Sequence, residues 1–376
     1  MKILMQNRIN VFSAPGGDTI QMLKTKEYLE RIGCEVSIAC DLNPDLKGID
    51  LVHLFNITRI NETYMQFKNA QKQNKPVVVS SIYQNFEELD SKTSSVVRGF
   101  LWRWLNKENR EKIKTLGRTI KNIGQAKSAA LQMIKGFENE QREVLSGVSL
   151  ILPNSLLEAQ AIQRDFSLNI RYQVVPNAVD AVFAQRNNSF IDRTGWNNYV
   201  LCVGNFIERK NQLALIEAMQ GLNILLILIG SPVNTHKNYF NKINSAVKNS
   251  AGQIKIMKNV PQPELIPIYS GAKVVVLPSW IETTGLSCLE GAIAGCNIVI
   301  TDRGYAKEYF KDMAYYCDPA DIRSIKDAIL KAFNAPVNPD LKNHVLSNFT
   351  WEKTAELTYN AYCKALNIEK QSIIME

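Results

Sequence analysis

Five short, nearly uninterrupted apolar runs dominate the second half of the chain: YVLCVG at 199–204, LLILIG at 225–230, IKIMKNV at 254–260, KVVVLPS at 273–279 and NIVITDR at 297–303. Nearly continuous apolar strands of this kind are expected to be buried on both faces. The segments between them, QLALIEAMQGL, a polar stretch around 236–250, PELIPIYSGA and GLSCLEGAIAG, read as helices. Strands buried on both faces and alternating with helices imply a mostly parallel sheet covered by helices on either side.

The first half repeats the rhythm. KILMQ, EVSIAC, DLVHLF and PVVVSSIY read as strands, and TIQMLKTKEYLERIG carries Met22, Leu23, Leu29 and Ile32 at helical spacing before Gly33 stops it. The 376 residues are too many for one ordinary core. The expectation is therefore α/β with two doubly wound, Rossmann-like domains. The first spans 1–187 and the second 188–347, with the polar, Gly-containing stretch 185–197 at the boundary. Residues 348–376 form a last helix and tail. That helix has Trp351, Ala355, Tyr359, Tyr362 and Leu366 on one stripe and needs a partner surface.

Seven cysteines, an odd number with no C-x-x-C pair, suit a reducing compartment. Three histidines, none near a cysteine pair, argue against a zinc site. No apolar run reaches the roughly 18 residues of a membrane span. The net charge of +8 is local: segment 91–135 holds eleven Lys/Arg against Glu108 and Glu111, which is +9. Phe100, Trp102 and Trp104 stand at its front. Basic residues beside such aromatics suit an anionic membrane surface. A solvated helical hairpin whose tryptophans pack beneath it is the alternative. No nucleic-acid-binding motif accompanies the charge. This basic helical insert, expected over 91–140, breaks the β-α rhythm of the first domain.

Three stretches carry chemistry. In KVVVLPSWIETTGLSCLEGAIAGC a strand leads into a loop bearing Glu282 and then into a helix bearing Glu290, with Gly285 near the helix start. A helix start offers unpaired N–H groups to an anion, and carboxylates accept hydrogen bonds from sugar hydroxyls. A sugar joined to a diphosphate satisfies both. The amides of Thr284, Gly285 and Leu286 would meet the diphosphate, and Glu282 and Glu290 would each hold a hydroxyl-bearing ring. In VGNFIERKNQLALIEA, Arg209 and Lys210 lie past a strand end, where a cation would neutralise a leaving diphosphate. In SAPGGDT, Gly16 and Gly17 permit close backbone approach to an anion.

With ILPNSLLEAQ at 151–160 and QVVPNAVDAVF at 173–183, these stretches occur in an order that resembles the retaining glycosyltransferases of family 4, which have the GT-B fold. The resemblance runs from about residue 1 to 366 apart from the insert. It implies two Rossmann-like domains facing a central cleft, and sugar transfer with retention from a UDP- or GDP-type donor to an acceptor hydroxyl. No metal and no cofactor are expected, the nucleotide-sugar being a substrate. Glu290 would bind the ribose, Glu282 the transferred sugar, and Lys210 with Arg209 the departing diphosphate. Gly16, Gly17 and the amides of 284–286 would complete the cradle. Two departures stand out. Asn205 occupies a position where the family usually has Arg. The family's histidine after the fourth strand is missing, which leaves Tyr83, Asn85 or His53 as acceptor-side candidates. The expected setting is the cytoplasm, peripheral on the inner face of the plasma membrane, with a glycan or lipid-linked acceptor in surface polysaccharide synthesis. A nucleotide-sugar-binding protein without transfer activity is the alternative that the departures leave open.

Overall fold

The structure, a computed structural model, describes residues 1–85, 136–250 and 252–369. The basic segment 91–135 lies outside the described residues. The chain divides into two units, Met1–Pro176 with Trp351–Glu376, and Asn177–Thr350. The first crossing thus falls in the PNAVD stretch, and the polar stretch 185–197 lies inside the second unit.

The first unit runs β1 (Lys2–Gln6), α1 (Gly17–Arg31), β2 (Glu35–Ala39), β3 (Leu51–Phe55), α2 (Ile60–Lys72), β4 (Val77–Ser80), α3 (Phe137–Gly147), β5 (Leu150–Ile151) and α4 (Leu156–Phe166). Its sheet has the order β2-β1-β3-β4-β5, all parallel. Helix α1 ends where the sequence predicts, with Gly33 at φ +88° taking a left-handed conformation that a Cβ disfavours. Helix α2 escapes the periodicity argument because it buries polar side chains. Glu62 accepts from the Ile9 amide at 2.7 Å, Gln66 donates to the Asn7 carbonyl at 2.9 Å and Thr63 to the Asn56 carbonyl at 2.7 Å. These bonds hold the loops beyond β1 and β3. A last helix, Trp351–Leu366, packs on α1 within the same unit. It buries Trp351, Ala355, Tyr359 and Tyr362 of the expected stripe. Thr354 Oγ1 donates to the Pro176 carbonyl at 2.8 Å and anchors its start.

The second unit runs α5 (Ser189–Thr194), β6 (Tyr199–Val203), α6 (Gln212–Ala218), β7 (Leu226–Gly230), α7 (Lys237–Lys248), β8 (Ile254–Lys258), α8 (Gln262–Gly271) and β9 (Ala272–Leu277). It continues through α9 (Leu286–Ala294), β10 (Asn297–Thr301), α10 (Ala306–Phe310), β11 (Tyr315–Cys317), α11 (Ile322–Asn334) and α12 (Pro339–Asn348). The sheet order is β11-β10-β9-β6-β7-β8, again parallel throughout. Alternate side chains feed two cores. Tyr199, Leu201, Ile227, Ile229, Val275 and Ile298 face one cluster, while Val200, Cys202, Leu226, Leu228, Val274 and Val299 face the other. That two-sided burial is why these strands read as continuous apolar runs. Each such side chain contributes about 1.5–3 kcal/mol.

Candidate active site

The order of the second sheet reverses between β6 and β9: β7 and β8 lie to one side, β10 and β11 to the other. At such a switch point the loops leaving adjacent carboxyl ends diverge and open a crevice. The loop after β6 carries Gly204, Asn205 and a single 3₁₀ turn, Glu208–Lys210. The loop after β9 carries Trp280, Glu282, Thr283 and Thr284 into α9. The two loops are tied by the backbone, since the Trp280 amide donates to the Arg209 carbonyl at 2.9 Å.

The tie places three predicted residues in direct contact. Lys210 Nζ lies 2.6 Å from Glu282 Oε1, and Arg209 Nη1 lies 3.4 Å from the same oxygen and 3.1 Å from the Ile281 carbonyl. The side chains of Glu282 and Lys210 are 7% and 15% exposed, so the pair is largely out of water. Burial alone would raise the Glu282 carboxyl, but the charges of Lys210 and Arg209 and the Lys210 hydrogen bond outweigh it and hold the group below its ordinary range. Lys210 is lowered, chiefly by burial, with Glu282 opposing. The result is a fixed carboxylate with two cations beside it. The stem of Lys210 lies over Gly204, where its carbons sit 3.5–3.7 Å from the position of a Cβ.

Glu282 is also held from behind. Its amide donates to the Arg303 carbonyl at 3.3 Å and its carbonyl accepts from the Tyr305 amide at 2.8 Å. Gly304, at φ +93°, lies between these partners, and a Cβ there would fall 2.1 Å from the Glu282 carbonyl oxygen. Sequence reasoning missed Arg303, Gly304 and Tyr305. The glycine in DRGYAKE, immediately past an apolar strand, is the signal that marks them.

Helix α9 begins at Leu286, after Gly285 at φ +81°, with no side chain capping its first turn. A Cβ on Gly285 would meet Ile300 Cδ1 at 2.7 Å. Thr284 is 1% exposed, and its hydroxyl oxygen is buried with no hydrogen-bond partner. The helix start therefore presents an uncapped dipole end and an unused hydroxyl beside two cations, which is an arrangement suited to an anion. Glu290 lies on α9 and is half-buried. Its Oε2 accepts from the Tyr269 hydroxyl at 2.6 Å. Burial pushes the Glu290 carboxyl up to about 7, against that hydrogen bond and with Asp180 adding to the rise. Asn205 is half-buried, with its carbonyl accepting from Gln212 Nε2 at 3.0 Å.

In the first unit the structure revises several expectations. Gly16 caps α1, but its amide already donates to Thr19 Oγ1 at 3.0 Å. The Asp18 carboxylate fills the space beside it, 2.9 Å from where a Gly16 Cβ would stand. That acid is paired with Arg8 at 2.7 Å. Gly17 is the first residue of the helix. The Gly16 amide is therefore not available for a ligand. His53 is not at a surface. It lies in β3, 1% exposed, with Nδ1 2.7 Å from the Tyr362 hydroxyl and Nε2 2.9 Å from Ser80 Oγ. Burial lowers it to about 3, so the ring is neutral and both nitrogens are occupied. Tyr83 is 2% exposed and its hydroxyl donates to Asp165 at 2.9 Å. Both residues are structural in this arrangement.

Asn85 is half-buried in the loop after β4. Glu158 fixes that loop: one oxygen accepts from Ser81 Oγ and from the Tyr83 amide at 2.8 Å, and the other from the Asn154 amide at 3.1 Å. Ile82 between them stands at φ +45°, strained for a β-branched residue. Among the described residues no group of three or more His, Cys, Asp or Glu is gathered as metal ligands.

Comparison with known proteins agrees with this architecture. Residues 186–348 match the family described as glycosyl transferases group 1. An O-antigen chain mannosyltransferase B of Escherichia coli is 27% identical over 177 residues, 44% of this chain and 46% of that one. An uncharacterised glycosyltransferase of Methanocaldococcus jannaschii is 27% identical over 203 residues, 51% and 53% of the two chains. The match spans about half the length of these curated relatives. Among solved structures, a sucrose-phosphate synthase of Thermosynechococcus elongatus superposes with a TM-score of 0.77 at 14% identity, covering 98% of this chain and 99% of that one. Anabaena HepE in complex with UDP-glucose gives 0.68 at 14% identity, with 96% and 99% covered. The two parallel sheets are those of the GT-B fold, and the second unit carries the match to the glycosyl transferases group 1 over residues 186–348.

Proposed function

We propose that the chain is a retaining, metal-independent glycosyltransferase of family 4. It moves a sugar from a UDP- or GDP-type donor to an acceptor hydroxyl. The observation that carries this reading is the Lys210–Glu282–Arg209 contact beside the uncapped start of α9, at the switch point of the second sheet. The diphosphate meets the amides of Thr284, Gly285 and Leu286. An ammonium has three donors, so Lys210 can keep Glu282 while it binds a phosphate oxygen. Its charge and that of Arg209 then match the charge that grows on the diphosphate as the glycosidic bond breaks. Arg209 supplies the cation where the chain has Asn205. Glu282, fixed by its cations and by the Arg303–Tyr305 backbone, orients the hydroxyls of the transferred sugar. Glu290 accepts from the ribose. HepE, solved with UDP-glucose, supports a nucleotide-sugar donor for the second unit.

The first unit receives the acceptor, with Asn85 on the acceptor side. A surface-polysaccharide role is supported by the name of the Escherichia coli relative. A lipid-linked acceptor, with peripheral attachment to the cytoplasmic face of a membrane, is supported by the distribution of exposed apolar residues. Of the eight large exposed apolar side chains among the described residues, Ile9, Phe12, Ile20, Leu23, Leu156 and Leu157 lie on the loop after β1 or near the starts of α1 and α4. All three places are at the carboxyl edge of the first sheet. The +9 segment 91–135 lies in sequence between β4 and α3.

Incubation with a panel of nucleotide-sugars and acceptor extract is expected to release a nucleoside diphosphate from one donor, with Glu282→Gln at least a hundredfold slower. Donor binding without transfer to any acceptor would instead favour a nucleotide-sugar-binding protein. For the membrane, deletion of 91–135 is expected to weaken sedimentation with vesicles containing anionic lipid, increasingly so at low salt. Equal sedimentation of both forms would remove that part of the proposal.

A further inference from the structure

Tyr269 lies on α8, is fully buried, and belongs to none of the stretches that mark the site in the sequence. Its ring stands edge-on to Phe183 at 5.5 Å and 90°. Phe183 lies in the 3₁₀ turn Ala181–Ala184, which Asp180 caps through the Val182 amide at 3.2 Å. The phenol is thus locked by packing, and its hydroxyl reaches Glu290 Oε2 at 2.6 Å. Helix α9 packs against α8 and against this same turn. Resting on the donor-site reading of Glu290, we infer that Tyr269 is a positioning residue for donor binding: it pins one carboxylate oxygen of Glu290 and so presents the other to the ribose hydroxyls.

The groups around Glu290 give this arrangement a pH signature. From α8 comes the Tyr269 hydroxyl, which favours the carboxylate. From the turn comes Asp180, whose charge disfavours it, together with burial. Cys288, on α9 itself, is kept a neutral thiol by burial. On α12, which also packs on α9, Lys342 reaches the Ala184 carbonyl and His344 the Tyr309 carbonyl. No cation is among the groups that shift Glu290. The carboxyl therefore titrates at about 7 instead of in the ordinary range near 4.5. Between those values the folded protein holds a proton that the unfolded chain has released. Stability from this group is thus full below the ordinary value and falls as pH rises towards 7. Donor binding follows the opposite course, because the carboxylate that accepts from the ribose forms only as the proton leaves.

Two measurements on the full chain separate the parts. The first, without ligand, is urea denaturation from pH 4 to 9. Tyr269→Phe removes the bond that favours the carboxylate, so the falling limb should extend upward by about one pH unit. Glu290→Gln should abolish that limb. The second is calorimetric titration with UDP and with GDP over the same range, where Glu290→Gln shows what the nucleotide's own phosphates contribute. Wild type should bind one of them more tightly as pH passes about 7. Tyr269→Phe should weaken that binding roughly tenfold at pH 7 and move its midpoint upward. In the double variant Tyr269→Phe should add nothing to Glu290→Gln. An unmoved stability limb in Tyr269→Phe, a limb that survives in Glu290→Gln, or additive losses in the double variant would each overturn the positioning role. If Tyr269→Phe does not fold, Glu290→Gln still tests the Glu290 limb on which the positioning role depends, and a limb that survives there overturns it. If neither nucleotide binds wild type while the ligand-free limbs behave as expected, the donor-site reading fails and the Tyr269–Glu290 coupling stands.

Discussion

Lys210→Ala is expected to lower kcat by about 10²–10³-fold and to destabilise the fold by roughly 3–5 kcal/mol. Both effects come from the loss of one ammonium, which lies 2.6 Å from Glu282. On the proposed reading, the kinetic loss arises because the ammonium stands where diphosphate charge would develop. The stability loss arises because Glu282, with its side chain 7% exposed, is left deep in protein with Arg209 at 3.4 Å as its nearest remaining cation. Burial, the largest influence on that carboxyl, would then dominate and raise it where it is now lowered. The pH dependence of stability should invert accordingly. In wild type the contribution of Glu282 is present above the ordinary carboxylate range and is lost as the protein is acidified. In the variant, acidification should relieve a buried charge instead. Lys210→Arg, which keeps the charge, should retain most of the stability. Urea denaturation at pH 4 and 7, paired with nucleoside diphosphate release, reads both effects. A variant with wild-type kcat would show that the cation does not act on the leaving group.

Gly304→Ala is the second large effect, and nothing in its side chain suggests it. A Cβ at Gly304 would fall 2.1 Å from the Glu282 carbonyl oxygen, 2.9 Å from its carbon and 3.0 Å from its nitrogen. None of these atoms is a movable side-chain tip. The backbone pairing of Glu282 with Gly304 must open, and Glu282 must shift relative to Lys210. A displacement on the order of 1 Å at a reacting group costs about a hundredfold in rate. The strain and the broken pairing should cost about 2–4 kcal/mol. Gly295→Ala is the matched control: Gly295 stands at a similar φ of +90° but has nothing within 4 Å of its Cβ position. It should lose about 1–2 kcal/mol for the left-handed backbone and keep its activity. If the two variants lose activity equally, the Gly304 contact is not what holds Glu282.

The fold was legible because the strands of the second unit are buried on both faces, which left Val, Ile and Leu at consecutive positions of β6, β7, β9 and β10. Helix α2 was not legible, because it spends Glu62, Thr63, Gln66 and Asn69 on loop carbonyls and amides and so loses its apolar stripe. At the candidate site, Glu282, Glu290, Lys210 and Arg209 stand out in the sequence because each lies in a loop or early helix past an apolar strand. Tyr269 and Gly304 could not, because each acts on a glutamate that lies elsewhere in the chain. Their own neighbours, IPIYSG and TDRGYA, look like ordinary helix and turn.

The first unit shows the reverse error. SAPGGDT has the letters of an anion loop, but Thr19 takes the Gly16 amide and the Arg8–Asp18 pair fills the space beside it. His53 likewise has the letter of a general base, but its neighbours in space, Ser80 and Tyr362, occupy both nitrogens.

What the sequence determined by itself is therefore the set of layers: mostly parallel sheets covered by helices, with Glu282, Lys210 and Arg209 just past strand ends. The strand order that opens a crevice beside Glu282 is a matter of the fold. Hydrophobic burial is a local, periodic property, and it is written in the order of residues. What only the tertiary structure decided is which polar groups remain free to meet a ligand. A hydrogen bond is spent on whichever partner arrives in space. The 2.6 Å contacts that Lys210 makes with Glu282 across 72 residues, and Tyr269 with Glu290 across 21, exist only once the chain has folded.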